Sequence, residues 1–414
     1  MRRILIVGAG QGGLQLALCL QARGYEITMM SARTPEEIRA GRVTSTQVMF
    51  WTSLDIEREN GLDLWEPSTP RIVGQRSTVA APPDEAPPGT MGFTFIGRWD
   101  SYAQSVDQRV KMAGWLELFE QRGGNVVYHG AMTSDLERLS ELYDLTIIAA
   151  GKGELVELFD RDAGRSPYDR PQRHLAGIYV HGSTPMPEYP EPHVRINVVP
   201  GVGEAIIMPG YTHTGACEIL LWEAIPGGPL DVWDDRPGPG EHLRRTLELL
   251  GTYLPWEYER FKDAEPTDAR STLIGGYAPV VRDPVGRLSD TALVFGMGDV
   301  VVANDPITGQ GANNACHCAD IYLKRILAHG DRPFDEKWMR ETFEEYWEYA
   351  GPVTRYTNMV LGPPPEHLLR VLGAAVEHPE VAYRFVRGSA YPGEFQDWIM
   401  EAESVDAYLA SVGA

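Results

Sequence analysis

The stretch Arg3–Ser31 constrains the fold more than any other part of this 414-residue chain. Ile4-Leu5-Ile6-Val7 reads as a short, wholly apolar strand that runs into Gly8-Ala9-Gly10-Gln11-Gly12-Gly13. Leu14–Ala22 carries residues compatible with a helix, Gly24-Tyr25 ends it, and Glu26–Met30 reads as a second strand. Gly8, Gly10 and Gly13 stand at G-x-G-x-x-G spacing, the fingerprint of a βαβ unit that binds a dinucleotide. The first glycine permits a tight turn and the second lets the backbone approach a pyrophosphate. The third lets the helix pack closely on the strand, so that the helix N-terminus faces the phosphates.

The length suggests two or three domains sharing interfaces. A net charge of −21 argues against a nucleic-acid or anionic-membrane partner, because phosphate binding wants a basic face. No apolar run is long enough to span a bilayer, and the immediate entry into a strand leaves no room for a signal peptide. Cys19, Cys217, Cys316 and Cys318 are few and scattered in apolar contexts, as reduced thiols would be. The expected location is the cytoplasm.

Ser31 ends the second strand where many dinucleotide folds place an acid for a ribose hydroxyl, and Arg33 follows. Arg33 either reaches the adenosine or phosphate end of the ligand or is simply solvated. Arg39–Phe50 shows no period and suits a loop crossing over the cofactor. Residues 66–91, rich in Pro, Gly and Ala, are expected to be turns or an exposed excursion. A helix is expected from about Ser105 to Glu120, then strands at Asn125–Tyr128 and Leu145–Ala150. The latter is the apolar kind that fits a parallel sheet covered on both faces. Between His174 and Ile225, strand-like runs separated by Pro and Gly read as an antiparallel sheet inserted into the first domain. His242–Asp263 reads as helical, Thr291–Gly296 as a strand, and Asp305–Asn313 as a turn opening a helix through Ala328. The remainder looks mostly helical, broken at Gly362-Pro363-Pro364-Pro365.

Two Gly-rich turns, one at each end of the nucleotide domain, would cradle one long ligand. Asp299 in the second is placed to hold sugar-chain hydroxyls. Pro306 and Gly309-Gln310-Gly311-Ala312-Asn313 open a helix whose first N–H groups favour negative charge on a ring. A reduced flavin carries negative charge at its pyrimidine end, so FAD is the expected dinucleotide. Cys316-His317-Cys318 invites a metal reading, but consecutive helical residues point in different directions and cannot close one tetrahedral site. Core packing of the thiols, and no metal, is expected. The absence of a G-x-S-x-G elbow removes the commonest hydrolase reading.

With these motifs in place the chain resembles the epoxidase component of two-component styrene and indole monooxygenases. The resemblance runs nearly end to end. It includes Arg42, Val106-Asp107-x-Arg109, Tyr143-Asp144-Leu145, Gly151-Lys152, Pro171-Gln172-Arg173, Gly275-Gly276, Arg282-Asp283, Thr357-Asn358 and Pro364-Pro365-Glu366. It implies an α/β fold: a Rossmann-like FAD-binding domain of the glutathione-reductase/hydroxylase type, with an inserted antiparallel-sheet substrate domain and a helical C-terminal region. The expected division is 1–170 with 270–330 for FAD, 171–269 for substrate and 331–414 for the helical region, with part of 45–105 joining the substrate domain. The cofactor residues it implies are Gly8, Gly10, Gln11, Gly13, Ser31, Arg33, Arg109, Asp299, Pro306, Gly309, Gln310, Gly311, Ala312 and Asn313. FAD would arrive reduced by a separate NADH-dependent flavin reductase, and O₂ would supply the oxygen for an electron-rich double bond. A homodimer is a family expectation.

Arg42, Ser45, Thr46, Gln47 and Met49 are the expected substrate- or flavin-facing residues. In this family, styrene-preferring members carry Asn, Val and His where this chain has Ser45, Gln47 and Met49, and indole-preferring members carry Ser, Gln and Met. The resemblance therefore points to indole or another small aryl alkene, with Gln47 a partner for a ring N–H. The competing reading is a cofactor-covering loop whose side chains only pack. A flavin-dependent halogenase is the alternative enzyme, although Trp222-Glu223-Ala224-Ile225-Pro226 lacks the second Trp of W-x-W-x-I-P and no lysine precedes Lys111. A non-catalytic flavin-binding protein is the alternative from a different class.

Overall fold

The computed structural model describes residues 2–151, 153–289 and 292–414. Lys152 of the Gly151-Lys152 pair and Thr291 at the start of an expected strand lie outside the described residues. The chain opens with β1 (Arg3–Val7), α1 (Gln11–Gln21) and β2 (Glu26–Ser31), followed by α2 (Pro35–Arg39) and α3 (Trp51–Glu59). A long hairpin of β3 (Ile72–Ala80) and β4 (Met91–Ala103) precedes α4 (Gln108–Gln121), β5 (Asn125–Tyr128), α5 (Thr133–Ser140) and β6 (Leu145–Ile148). Next come β7 (His174–His181), β8 (Val194–Val199), β9 (Gly203–Thr212) and β10 (Gly215–Ala224), then α6 (Pro239–Tyr253) and α7 (Pro255–Phe261). Short strands follow: β11 (Glu265–Pro266), β12 (Thr272–Gly275), β13 (Val280–Val281), β14 (Val285–Arg287), β15 (Leu293–Gly296) and β16 (Val302–Ala303). The chain closes with α8 (Gly311–His329), α9 (Glu336–Leu361), α10 (Glu366–Glu377), α11 (Pro379–Arg387), α12 (Phe395–Trp398) and α13 (Ala402–Val412).

Two sheets organise these elements. The first has the order β14-β15-β6-β1-β2-β5, parallel except for β14 at its edge. Its central strands β1 and β6 are buried and mostly apolar, Ile4–Val7 in one and Leu145, Ile147 and Ile148 in the other, as suits a sheet covered on both faces. The second sheet runs β11-β7-β10-β9-β8-β3-β4, with β12 also on β7. It alternates its side chains between two cores with the period of a pleated strand. Ile219 and Leu221 of β10 face a cluster completed by Phe95, Trp99 and the C-terminal helices. Leu220 and Trp222 face the opposite cluster, made with Leu243, Leu250 and Phe261 of α6 and α7. Helix α9 spans the join. Its first half, through Trp338, Phe343, Tyr346 and Ala350, enters the core of the nucleotide sheet, and Tyr356, Met359 and Val360 pack against the other.

The expectation for residues 66–91 is corrected. Ile72–Ala80 is a largely buried strand, paired antiparallel with β4 and parallel with β8. The prolines lie outside the strand, Pro67 and Pro70 before it and the other four in the connection 81–90. The polar run Gln75-Arg76-Ser77-Thr78 hides the strand in the sequence, yet it stays inside because its members bond to one another or across the hairpin. Gln75 donates to Ser77 (3.0 Å), Arg76 donates to Thr94 (3.2 Å), and Thr78 and Thr94 share a bond (3.0 Å). The helical segment expected at His242–Asp263 is two helices, divided at Leu254-Pro255 where the proline starts the second.

The close approach of α1 to β1 depends on Gly13, where a Cβ would lie 2.1 Å from the Gly8 carbonyl oxygen. Gly13→Ala is therefore expected to destabilise the fold by about 1–3 kcal/mol, the usual cost of forcing a methyl into packed space. Urea unfolding measures it, and an unchanged midpoint would contradict the assignment.

Candidate active site

The parallel strands of the first sheet end side by side, and their following turns make one rim. Gly8 after β1 donates its N–H to Met30 at the end of β2 (2.9 Å), with φ at +116°. A Cβ there would meet the Ala149 and Ala150 backbone after β6 at 2.7 Å, so only glycine fits the turn. Gly151 next to them would place a Cβ 2.6 Å from the Asp299 Cβ, which brings the turn after β15 alongside. The arrangement gathers the Gly8 and Gly298-Asp299 turns at the carboxyl ends of adjacent strands, where ligands of such sheets bind.

Each turn presents a helix start that no side chain closes. Gly10 has extended backbone, a Cβ on it would touch nothing within 4 Å, and α1 has neither a side-chain cap nor an acid in its first turn. Gln11 contributes backbone only, because its buried amide turns inward to Gln15 (3.1 Å) and Glu57 (3.0 Å). At the second turn, Asp305 caps Pro306–Thr308 through the Ile307 N–H (3.1 Å), and Gly309 takes the left-handed conformation. Gly311 begins α8 with open space around its α-carbon and no acid in the first turn. Gln310 donates to the Ser389 carbonyl (2.7 Å), and its Oε1 is buried without a partner among the described residues. A long ligand with an anionic centre and an anionic ring end fits this pair of cradles. Asp299 is exposed between them, and Arg282 donates to the carbonyls of Asp299 and Val300.

The remaining cofactor candidates sit differently. Ser31 is buried, donates to the Arg33 carbonyl (2.6 Å), and leaves the Arg33 side chain exposed. The Arg109 guanidinium is buried and engaged by Asp107 (2.9 Å), by both oxygens of Asp268 (3.1 and 2.9 Å) and by Thr212 (3.3 Å). It ties α4 to the substrate sheet, beside a cleft of about 150 Å³ also lined by Arg39, Trp65, Tyr211 and His213.

The loop 41–50 runs between the second sheet and α8. Arg42 is exposed, the Ser45 carbonyl accepts from the Tyr179 hydroxyl (2.8 Å), and Thr46 lies against Gly177 of β7. Met49 is buried with Leu54 and Cys316 and exchanges both backbone bonds with Gln104 (2.8 and 3.0 Å). The buried Gln47 amide donates to the Val106 carbonyl, and its Oε1 has no partner among the described residues. Asn313 of α8 fixes this loop. Its Nδ2 donates to Val48 (2.8 Å) and Gly309 (3.0 Å), while its Oδ1 accepts from the Phe50 N–H (2.9 Å) and the Ser53 hydroxyl (2.8 Å).

Cys316, His317 and Cys318 face separate surroundings. Both thiols are fully buried, and the His317 ring stacks on Tyr349 at 4.0 Å, its pKa pushed down to about 4 by burial. No group of three potential ligands suited to a metal occurs among the described residues, and no helix among them is long and apolar enough to cross a membrane. Sequence reasoning passed over Tyr179, Gln104 and the Glu223–Asp305 contact, because each gains meaning only from a partner far along the chain.

Comparison with known proteins places the chain in a family. Residues 151–260 match the family model for the substrate binding domain of styrene monooxygenase A. The chain is 31% identical to styrene monooxygenase StyA of Pseudomonas fluorescens over 98% of its length and 96% of that protein. It is likewise 31% identical to StyA of a Pseudomonas species, covering 99% and 98%. Among solved structures, the flavin-dependent brominase Bmp2 superposes with a TM-score of 0.60 at 12% identity, covering 100% of this chain and 93% of that one. PqsL of Pseudomonas aeruginosa, described as a probable FAD-dependent monooxygenase, superposes with a TM-score of 0.61 at 16% identity, covering 92% and 98%. These two distant structures share the fold. The full-length identity to StyA carries more, and the chain belongs to the styrene monooxygenase StyA family.

Proposed function

We propose that this protein is the oxygenase half of a two-component flavin monooxygenase, taking FAD reduced by a separate NADH-dependent reductase and using O₂ to epoxidise an aryl alkene, with indole the favoured substrate. Bound reduced FAD would supply activated oxygen at its ring. The protein's work is to bind, orient and exclude water. The open backbone at Gly10 and the α1 N-terminus would hold the pyrophosphate, Asp299 the sugar chain, and the Pro306–Ala312 turn the ring. Thr46, Gln47 and Met49 would face the alkene, on a loop that Asn313 locks to that turn. No side-chain acid or base is required at the double bond.

The observation that carries the indole reading is the buried, unpartnered Oε1 of Gln47. A buried acceptor without a donor costs about 1–3 kcal/mol, and an indole N–H would satisfy it where styrene has nothing to offer. The halogenase alternative gains no support from Lys111, the first lysine of the chain, because it is buried in an ion pair with Glu57.

Purified protein supplied with FAD, a flavin reductase, NADH and air is expected to turn indole into indigo. Absence of oxygenated product from both indole and styrene would overturn the proposal. Gln47→Val should reduce the indole-to-styrene rate ratio about tenfold, the worth of one hydrogen bond. Exchanging Ser45, Gln47 and Met49 together for Asn, Val and His should move the preference further toward styrene, and an unchanged ratio would show that this loop is not the selector. Gly10→Val should weaken binding of reduced FAD severely while leaving the unfolding midpoint near that of the parent, because its side chain would point into open space. Equal affinity in the variant would remove the phosphate role from this turn.

A further inference from the structure

Three carboxyl groups meet beneath the ring-binding turn, and among the described residues only Glu204 is paired with a cation. Glu204 of β9 pairs in two bonds with the buried Arg173 (2.7 and 2.9 Å). Glu223 stands opposite Glu204 in the β9–β10 register, is wholly buried, and finds no donor for either oxygen among the neutral and cationic groups around it. Among the described residues its polar neighbour is the carboxyl of Asp305, also buried, which reaches it from the turn before α8. Two carboxylates in one desolvated place cannot both be ionised. One proton between them removes the repulsion and turns the contact into a charge-assisted hydrogen bond.

The geometry fixes which carboxyl carries the proton. Asp305 already accepts the Ile307 N–H as the cap of Pro306–Thr308, a role that suits a carboxylate. Glu223 has nothing but Asp305 to bond and therefore donates. We propose that Glu223 and Asp305 share one proton and act as a positioning pair, holding the turn Asn304–Gly311 against the substrate sheet. The turn is gripped from the other side by α9, where Thr354 donates to Asn304 (3.1 Å) and Thr357 bonds Thr308 (2.7 Å). Glu223 is thus the one contact of the pair that reports the state of the substrate sheet to the turn. Its consequence for cofactor binding rests on that turn being the ring site.

The surrounding charges determine the pH dependence. Burial, the charges of Asp305 and Glu204 and the bond to Asp305 push the Glu223 carboxyl well above the usual range, with Arg173 opposing. Burial raises Asp305 to about 6 against the pull of the Ile307 N–H and Arg173. Tyr277, from the segment before β13, feels Asp299, Asp305 and Glu223 and stays neutral, its own pKa raised by burial. Groups whose folded pKa lies above the unfolded value stabilise the native state most at low pH and lose that contribution as pH rises through the folded pKa. Alkali therefore loosens the turn.

The test compares the flavin-free protein with Glu223→Gln, whose amide donates to Asp305 at every pH. Infrared spectra of the wild type should show a protonated-carboxyl stretch that fades as pH rises, and Glu223→Gln should lack it. Anaerobic titration with reduced FAD should show wild-type affinity falling about tenfold from neutral to alkaline pH, equivalent to about 1.4 kcal/mol. Glu223→Gln should keep the neutral-pH affinity throughout, whereas Glu223→Ala should be weakened at all pH values. A carboxyl stretch persisting unchanged in Glu223→Gln, or an affinity in that variant following the wild-type pH course, overturns the proposal. Wild-type protein that carries the stretch yet binds no reduced FAD at any pH overturns the ring-site reading and the positioning role with it.

Discussion

One side-chain amide keeps the two halves of the site in register. A carboxamide has two donor hydrogens and two acceptor positions, and Asn313 uses all four, on Val48, Gly309, Phe50 and Ser53. Sliding α8 against the loop that carries Ser45–Met49 would strand at least one of these buried groups, at about 1–3 kcal/mol each. The turn at the start of α8 and the loop 41–50 consequently behave as one body. Aspartate there would lack the donors, and glutamine, one methylene longer, would carry its amide past these partners.

The nucleotide half of the molecule was legible because its signals are local. Gly8, Gly10 and Gly13 lie within six consecutive positions of a strand–turn–helix, and the apolar runs of β1 and β6 declare a sheet covered on both faces. The second Gly-rich turn at Gly309–Asn313 and the periodless Arg39–Phe50 also read locally, and the family resemblance added the expected roles of individual residues in the loop 41–50. What remained hidden depends on distant partners. Strand β3 looked like an excursion because the Pro-, Gly- and Ala-rich stretch around it masks a polar run whose partners, Thr94 and Met186, lie across the sheet. Arg109 stands among the cofactor residues that the resemblance implies, and nothing nearby in sequence announces its bonds to Asp268. Glu223 is silent for the same reason, its partner Asp305 lying 82 positions away.

The substrate sheet also shows how a charged interior is kept at low cost. Arg195 and Arg260 meet Glu257 and Glu218 at 3.0–4.0 Å, all of them deeply or largely enclosed. Such groups are tolerated when opposite charge and hydrogen bonds replace the lost water. Glu223 and Asp305 have no cation free to do this, and they meet the same electrostatic demand by retaining a proton. The contrast separates charges that serve the scaffold from a pair whose state can change with the surroundings.

Helix α9 gives the molecule a thermodynamic property that its division into domains conceals. One continuous helix contributes its first half to the nucleotide core and its second to the substrate core. Neither core can melt without stripping buried apolar surface from the other. The two regions should therefore unfold together in a single calorimetric transition, and a chain cut within the helix should lose both at once. Domains defined by function are here a single unit of stability.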